Sequence, residues 1–165
     1  MPAEDGLRIS IRFATAADGP RCADIFLHGR RNAFPWQPED RFRLYDYYDC
    51  VDGEEVLVAE LDDARTGAGM VAGMVAGMVV GFVSVDVADR FIHNLFIDPL
   101  WRGQGIGSAL LREALALLHG SAKLACASRN AAARAFYEHN GWTPVPVPGF
   151  GDKASPLVVY RKSAL

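Results

Sequence analysis

The stretch FIHNLFIDPLWRGQGIGSALLREAL, Phe91 to Leu115, decides the reading of this chain. A short apolar run, Phe91–Ile97, has the length of a buried strand, and Asp98-Pro99 ends it. A compact glycine cluster follows, Gly103, Gly105 and Gly107. A helix is predicted over Gln104–His119, with Ile106, Leu110, Ala114 and Leu117 on its apolar face. Strand, glycine turn and helix together offer main-chain N–H groups and a helix N-terminus to a phosphate. The segment therefore implies a phosphorylated small-molecule ligand.

Two phosphate loops are excluded by their own chemistry. A GxxxxGK[ST] loop needs a lysine followed by a hydroxyl residue, and none follows these glycines. A dinucleotide GxGxxG turn needs a third glycine where this chain has Ser108, and an acid at a strand end about twenty residues on, which is lacking. Nucleotide hydrolysis and hydride transfer lose their support.

Bulk properties narrow the class further. The 165 residues, half of them apolar, fit one domain spanning 1–165 with a real core. A net charge of −3 does not suit nucleic acid, which needs a basic surface to release counterions. Three widely spaced cysteines, Cys22, Cys50 and Cys126, form no CxxC pair, so neither a metal nor a disulfide framework is expected. With no signal-peptide pattern in MPAEDGLRIS, a cytoplasmic location is expected. From Thr66 to Val85 no residue is charged, and Gly69, Gly73, Gly77 and Gly81 repeat at the GxxxG spacing of membrane helices. The glycine and alanine content makes the hydrophobic drive weak and no basic cluster flanks the run, so it reads as a repeat in a hairpin between two strands rather than a membrane span.

Outward from the central stretch the chain alternates strands and helices. Leu7–Phe13 alternates as a half-buried strand. Thr15 to Asp18 starts a helix that runs to about Gly29. A loop is predicted over Arg30–Trp36 and a second, aromatic-rich helix over Pro38–Cys50. Val56–Leu61 and Met78–Val87 are predicted strands, the latter with Gly81 at a bulge. Beyond the central helix, a strand is predicted at Lys123–Ala127, a helix at Asn130–Asn140, and strands at Trp142–Pro148 and Leu157–Arg161. This order gives an α/β domain around one mixed, mostly antiparallel sheet flanked by helices.

RGQGIG, Arg102 to Gly107, matches the R/Q-x-x-G-x-G/A signature of the GCN5-related N-acetyltransferases, the GNAT family. The resemblance extends through LFIDPLWRGQGIGSALL and through SRNAAARAFYEHNGW, Ser128 to Trp142, with its Asn, Phe-Tyr pair and Gly-Trp end. The opening strand with Ala14–Asp18 also resembles the family's N-terminus, while the Gly/Met/Val insert departs from its usual tight hairpin. The resemblance implies acetyl-CoA as cosubstrate, with no metal. The main chain across Arg102, Gly103, Gln104, Gly105, Ile106, Gly107 and Ser108 would then ring the pyrophosphate, with Arg102 either contacting phosphate or stabilising the turn. Leu95, Phe96 and Ile97 would pair with the pantetheine amides as a strand would, which requires the sheet to splay beyond Phe96.

Asn130 and Tyr137 are two turns apart and share one helix face. Asn130 either caps the helix or bonds pantetheine, and Ala133 with its small neighbours admits a ligand to the helix start. Tyr137 resembles the family's general acid for the departing thiolate; its other reading is a core tyrosine. Family members often carry an acid near the position held here by His93, whose ordinary pKa of about 6.5 suits a base acting directly or through water; its other reading is a structural histidine on an apolar strand. A main-chain N–H near Phe96 or Ile97 is the expected oxyanion donor. The resemblance places the acceptor against the first two helices and their loop, where Arg30, Arg31, Phe34, Trp36 and Tyr45 are the candidates and the arginines suit a carboxylate or phosphate; the other reading is a solvated charged loop with aromatics packed beneath. The expected activity is acetyl transfer to a primary amine, on a small molecule or on a protein lysine or N-terminus; a non-catalytic acyl-CoA sensor is the alternative. Expected partners are acetyl-CoA, an amine acceptor and at most a second copy of the chain, with neither nucleic acid nor membrane.

Overall fold

The computed structural model describes residues 8–62, 65–66, 69–70, 77–146 and 157–163. The strands are β1 (Ile9–Phe13), β2 (Glu55–Leu61), β3 (Arg65–Thr66), β4 (Gly69–Met70), β5 (Val79–Asp86), β6 (Phe91–Ile97), β7 (Ser121–Ala127), β8 (Thr143–Pro144) and β9 (Leu157–Ser163). The α-helices are α1 (Gly19–Ala33), α2 (Asp46–Cys50), α3 (Ile106–Leu117) and α4 (Ala131–His139). Seven strands form one sheet in the order β1-β2-β5-β6-β7-β9-β8, while β3 and β4 pair separately. In the seven-stranded sheet every pairing is antiparallel except β6–β7, giving the mixed, mostly antiparallel α/β fold expected.

Strand alternation divides the core between two helical layers. Leu57, Ala59 and Leu61 of β2 join Val83 and Val85 of β5 under α3, with Ile106, Leu110, Leu111 and Ala114 from the helix. Val58, Val79 and Phe82 face the other way, onto Cys22, Ala23, Ile25, Phe26 and Tyr47 of α1 and α2. The register slips between Ala59 and Glu60, opposite Gly81, where the glycine predicts an irregularity. The uncharged run from Thr66 to Val85 thus ends in the central strand β5, and no helix among the described residues is long and apolar enough to cross a membrane. Residues 71–76 of the repeat lie outside the described residues, as do Leu7 and residues 147–148 of the predicted strand Trp142–Pro148.

Two predicted elements and one predicted helix face differ from the structure. The first helix does not stop near Gly29 but runs to Ala33, so Arg30 and Arg31 lie in its last turn rather than in a loop. The predicted helix Pro38–Cys50 resolves into a 3₁₀ turn, Glu39–Arg41, and the five-residue α2. Phe42 and Tyr47 are the buried members of that aromatic set, and their five-residue spacing does not fit one helix face. The buried face of α3 continues at Leu118 rather than Leu117.

The N-terminal entry to α1 carries the clearest electrostatic lock. Asp18, buried, takes Arg12 as a two-point partner at 2.8 and 3.0 Å and accepts from the Thr15 N–H at 2.7 Å. The Arg12 hydrogen bonds hold its pKa down at about 2, below the ordinary 3.8. Because the folded-state pKa is depressed, this contribution is present above pH 4 and is lost as pH falls from about 4 towards 2. Asp18→Asn is expected to remove on the order of 1–2 kcal/mol at pH 7 and to flatten the acid limb of the stability curve, read by denaturant melts between pH 2 and 7.

Candidate active site

The parallel pair β6–β7 is joined only at Phe91–Lys123 and Ile92–Leu124, although β6 continues to Ile97 and β7 to Ala127. Beyond that point both strands line a cleft of about 1160 Å³. One wall is β6 from His93 to Ile97, and the opposite wall is Ala125–Ala127 with the start of α4. The glycine turn closes one end of the cleft, and the last turn of α1 with Phe34–Trp36 closes another side.

The turn is built as its sequence requires. Asp98 accepts from the Leu100 N–H at 2.9 Å, opening a 3₁₀ turn over Pro99–Trp101, and its other oxygen takes the Arg21 guanidinium of α1. Gly103 and Gly105 have φ of +76° and +79°, a conformation that side-chain-bearing residues rarely adopt, and Gly105 is the N-cap of α3. The first-turn N–H groups of α3 lack intrahelical partners by the geometry of any helix, so they form a natural anion seat. Gly107 serves close packing instead: a Cβ there would lie 3.1 Å from the Phe136 ring. Gly105→Ala strains the left-handed cap and is expected to cost about 1–2 kcal/mol of stability, read by thermal unfolding.

Arg102 faces across the cleft rather than into its own turn. With the Asn32 amide oxygen turned towards it, its two terminal nitrogens donate at 2.8 and 3.1 Å. Arg129, before α4, lies 4.6 Å over the Trp36 ring. Two cations on the glycine-turn and α4 sides thus meet the end of α1 and the following loop. Neither Asn32 nor Arg129 was legible as a site residue, because each pairing joins segments distant in sequence.

Asn130 caps α4: its side chain accepts from the Ala133 N–H at 3.0 Å while also lining the cleft. Ala133 and Tyr137 line the same wall. Desolvation raises the Tyr137 pKa well above the ordinary phenol value, so the hydroxyl stays protonated across the working range. Cys126, also on the wall, is pushed up to about 11 by burial and stays a thiol.

The expected residues do not all gather here. Leu95, Phe96, Ile97, Arg102, Gly103, Gly105, Ile106, Gly107 and Ser108 line the cleft; Gln104 does not. Of the acceptor candidates, Arg30, Phe34 and Trp36 line it, and Arg31 and Tyr45 lie outside, the Arg31 terminal nitrogen donating to the Phe42 carbonyl at 3.4 Å. Arg30 is already matched: its guanidinium sits 4.0 Å over Phe26 and 4.9 Å from Phe42, and bonds Asp46 at 3.0 Å. Two arginines free to take an acceptor's carboxylate or phosphate are therefore not what this wall presents. It presents aromatic surface, with Phe34 edge-on to Trp36 at 5.5 Å and Phe26 edge-on to Phe96 at 5.2 Å.

His93 stands where β6 departs from its neighbours. Ser84 pairs with Asn94 but Val85 pairs with Ile92, so His93 is the extra residue of a β-bulge at the mouth of the splay. Its imidazole is half exposed, lines the cleft, and bonds the Glu54 carboxylate through Nδ1. Glu54 immediately precedes β2, and nothing in the sequence linked it to a histidine 39 residues away.

The comparisons with known proteins agree with this geometry. Residues 52–144, more than half of the chain, match the family model described as the acetyltransferase (GNAT) domain. Over 66 residues the chain is 42% identical to the mycothiol acetyltransferase of Beutenbergia cavernae, a match covering 38% of this chain and only 22% of that protein. The fold resembles the PaiA N-acetyltransferase of Thermoplasma acidophilum, solved in complex with coenzyme A, at TM-score 0.72 and 15% identity, covering 96% of this chain and 100% of that one. It also resembles YncA of Salmonella typhimurium, a putative acetyltransferase solved with acetyl-CoA, at TM-score 0.59 and 23% identity, over 94% and 92% of the two chains. The family match, over a sheet splayed above a glycine turn, identifies the chain as a member of the GNAT acetyltransferase family.

Proposed function

We propose that this chain transfers the acetyl group of acetyl-CoA to a primary amine by direct attack. The observation that carries the reading is the splay of β6 from β7 leading into the αL glycine turn. A groove with an exposed strand edge along one wall suits an extended arm of amides, and the N-terminus of α3 suits its phosphates. The relatives solved with coenzyme A and with acetyl-CoA support the same ligand. When bound, acetyl-CoA supplies an acetyl group activated as a thioester.

The chain's residues then have separable tasks. Arg102 and the N–H groups from Gly103 to Ser108 hold the phosphates, and the β6 edge from Leu95 to Ile97 aligns the arm. His93 takes one proton from the acceptor ammonium, leaving the lone pair that forms the N–C bond as the C–S bond breaks. Tyr137 gives its proton to the departing thiolate and recovers one from the nitrogen as it becomes an amide. His93 finally releases its proton to solvent. The two cysteines that line the cleft, Cys50 and Cys126, do not suit a covalent route: desolvation raises the pKa of both thiols, and only the thiolate is a competent nucleophile.

The acceptor wall of Phe26, Phe34, Trp36 and Phe96, with Arg30 neutralised by Asp46, favours an amine carried on an apolar or aromatic body. Thiol release from acetyl-CoA across a panel of aliphatic, aromatic and peptidyl amines tests the function. Turnover is expected with at least one amine, best with the apolar ones. Tight acetyl-CoA binding with no turnover on any amine would instead support a non-catalytic acyl-CoA sensor.

A further inference from the structure

Glu54 is a costly group for a fold to keep. Its side chain is only 7% exposed, yet it is a carboxylate. One oxygen, Oε1, meets His93 Nδ1. The other, Oε2, is fully buried and has no hydrogen-bond partner among the described residues. A buried carboxylate oxygen without a partner costs stability, and an apolar side chain of similar size would avoid that cost. The register explains how the pair meets: Glu55, Val85 and Ile92 lie in one row across β2, β5 and β6, and His93 is the bulged residue next to that row. The bulge turns the ring so that one edge meets Glu54 while the residue still lines the cleft, which Glu54 does not. The Phe91 ring, 4.7 Å from the imidazole, flanks it.

We propose that Glu54 is the positioning carboxylate of His93, holding the imidazole with its proton on Nδ1 so that Nε2 is the basic nitrogen offered to the acceptor. This rests on the reading of His93 as the base. A hydrogen bond to one ring nitrogen decides the tautomer, and a carboxylate on Nδ1–H both fixes the ring and stabilises the imidazolium that forms when Nε2 takes a proton. The carboxylate, supplied by the residue before β2, acts through the histidine and not on the substrate. The unpartnered Oε2 becomes intelligible on the same terms: the negative charge is retained for the proton-transfer step, at the expense of the resting fold.

Two readouts test it on the full chain. In 15N–1H spectra of 15N-labelled protein, with His93 assigned by comparison with His93→Gln, the neutral ring is expected as the Nδ1–H tautomer; an Nε2–H tautomer would overturn the proposal without reference to any acceptor. In steady-state assays with acetyl-CoA and the best amine of the panel, Glu54→Gln is expected to lower kcat by about 10–100-fold with KM for acetyl-CoA within about twofold. Its melting temperature should be unchanged or higher. In a His93→Ala background the same substitution is expected to change kcat by less than about twofold, because the two residues act as a unit. Glu55→Gln, at the exposed neighbouring position, is the control that should leave rates alone. Full activity of Glu54→Gln beside an impaired His93→Ala would remove the positioning role and leave the proposed function standing. Full activity of His93→Ala would remove the base assignment, and this proposal with it. If Glu54→Gln does not fold, the wild-type tautomer still decides.

Discussion

Tyr137→Phe is expected to lower kcat about 10²-fold, with KM for acetyl-CoA changed by less than about twofold. The hydroxyl makes no hydrogen bond to the described residues, while the ring packs near Phe136, Trp142 and Tyr160 at centroid distances of 5.3, 6.4 and 6.0 Å. Removing one oxygen therefore leaves the packing intact, and stability should move by less than about 1 kcal/mol. On the proposed mechanism, what is lost is the proton for the leaving thiolate, whose ordinary pKa of about 8.5 makes it a poor leaving group unprotonated when the attacking nitrogen is itself a good one. Because desolvation raises the Tyr137 pKa above its ordinary 10.0, the phenol remains an acid through pH 9.5, and the wild-type kcat should show no basic fall below that point. Stopped thiol-release assays from pH 6 to 9.5, wild type against variant, measure both. Equal kcat at every pH would return Tyr137 to the role of a core residue.

The central stretch was legible because its information is local. A strand ended by Asp98-Pro99, glycines at Gly103 and Gly105 that take a left-handed backbone, and a helix opening behind them are each specified within a few residues. The splay was implied only by the resemblance, which put it beyond Phe96, whereas pairing with β7 stops at Ile92; no residue of β6 reports the register of a partner about thirty residues on. The same limit hid Glu54 and Asn32, whose partners are brought together only by sheet order and helix placement. Arg30 illustrates a subtler failure. Its charge was visible and its neighbours aromatic, but Asp46, sixteen residues away, was needed to show that the charge is already matched. The short α2 reads in sequence as the end of one longer aromatic-rich helix, whereas the fold breaks that segment, burying Phe42 and Tyr47 and leaving Tyr45 75% exposed.

Gly29 shows how far local rules can mislead, and it carries the largest expected effect on stability. As a residue in a helical pattern it reads as a stop or a weakness, and replacing it with alanine in an exposed helix would gain about 1 kcal/mol. The structure reverses the sign. Gly29 lies inside α1, and a Cβ added there would stand 2.3 Å from Cδ1 of Phe96, far inside contact distance. Phe96 cannot yield cheaply, because its ring is held edge-on by Phe26 at 5.2 Å and stacked on Phe82 at 6.0 Å. Overpacking of this kind costs about 1–3 kcal/mol for small additions and more for branched ones. Gly29→Ala should therefore be net destabilising by about 1–2 kcal/mol and Gly29→Val by about 3 kcal/mol or more, a fall of roughly 10 °C in Tm for the valine at this chain length. Phe96 also lines the cleft, so the valine variant should lose acetyl-CoA affinity even at temperatures where it is folded. Paired measurements, thermal unfolding and acetyl-CoA titration at 15 °C, separate the two losses. A valine variant as stable as wild type would mean that α1 can move off the sheet at this point, and that Gly29 is not what lets the helix lie against the strand that forms the cleft wall.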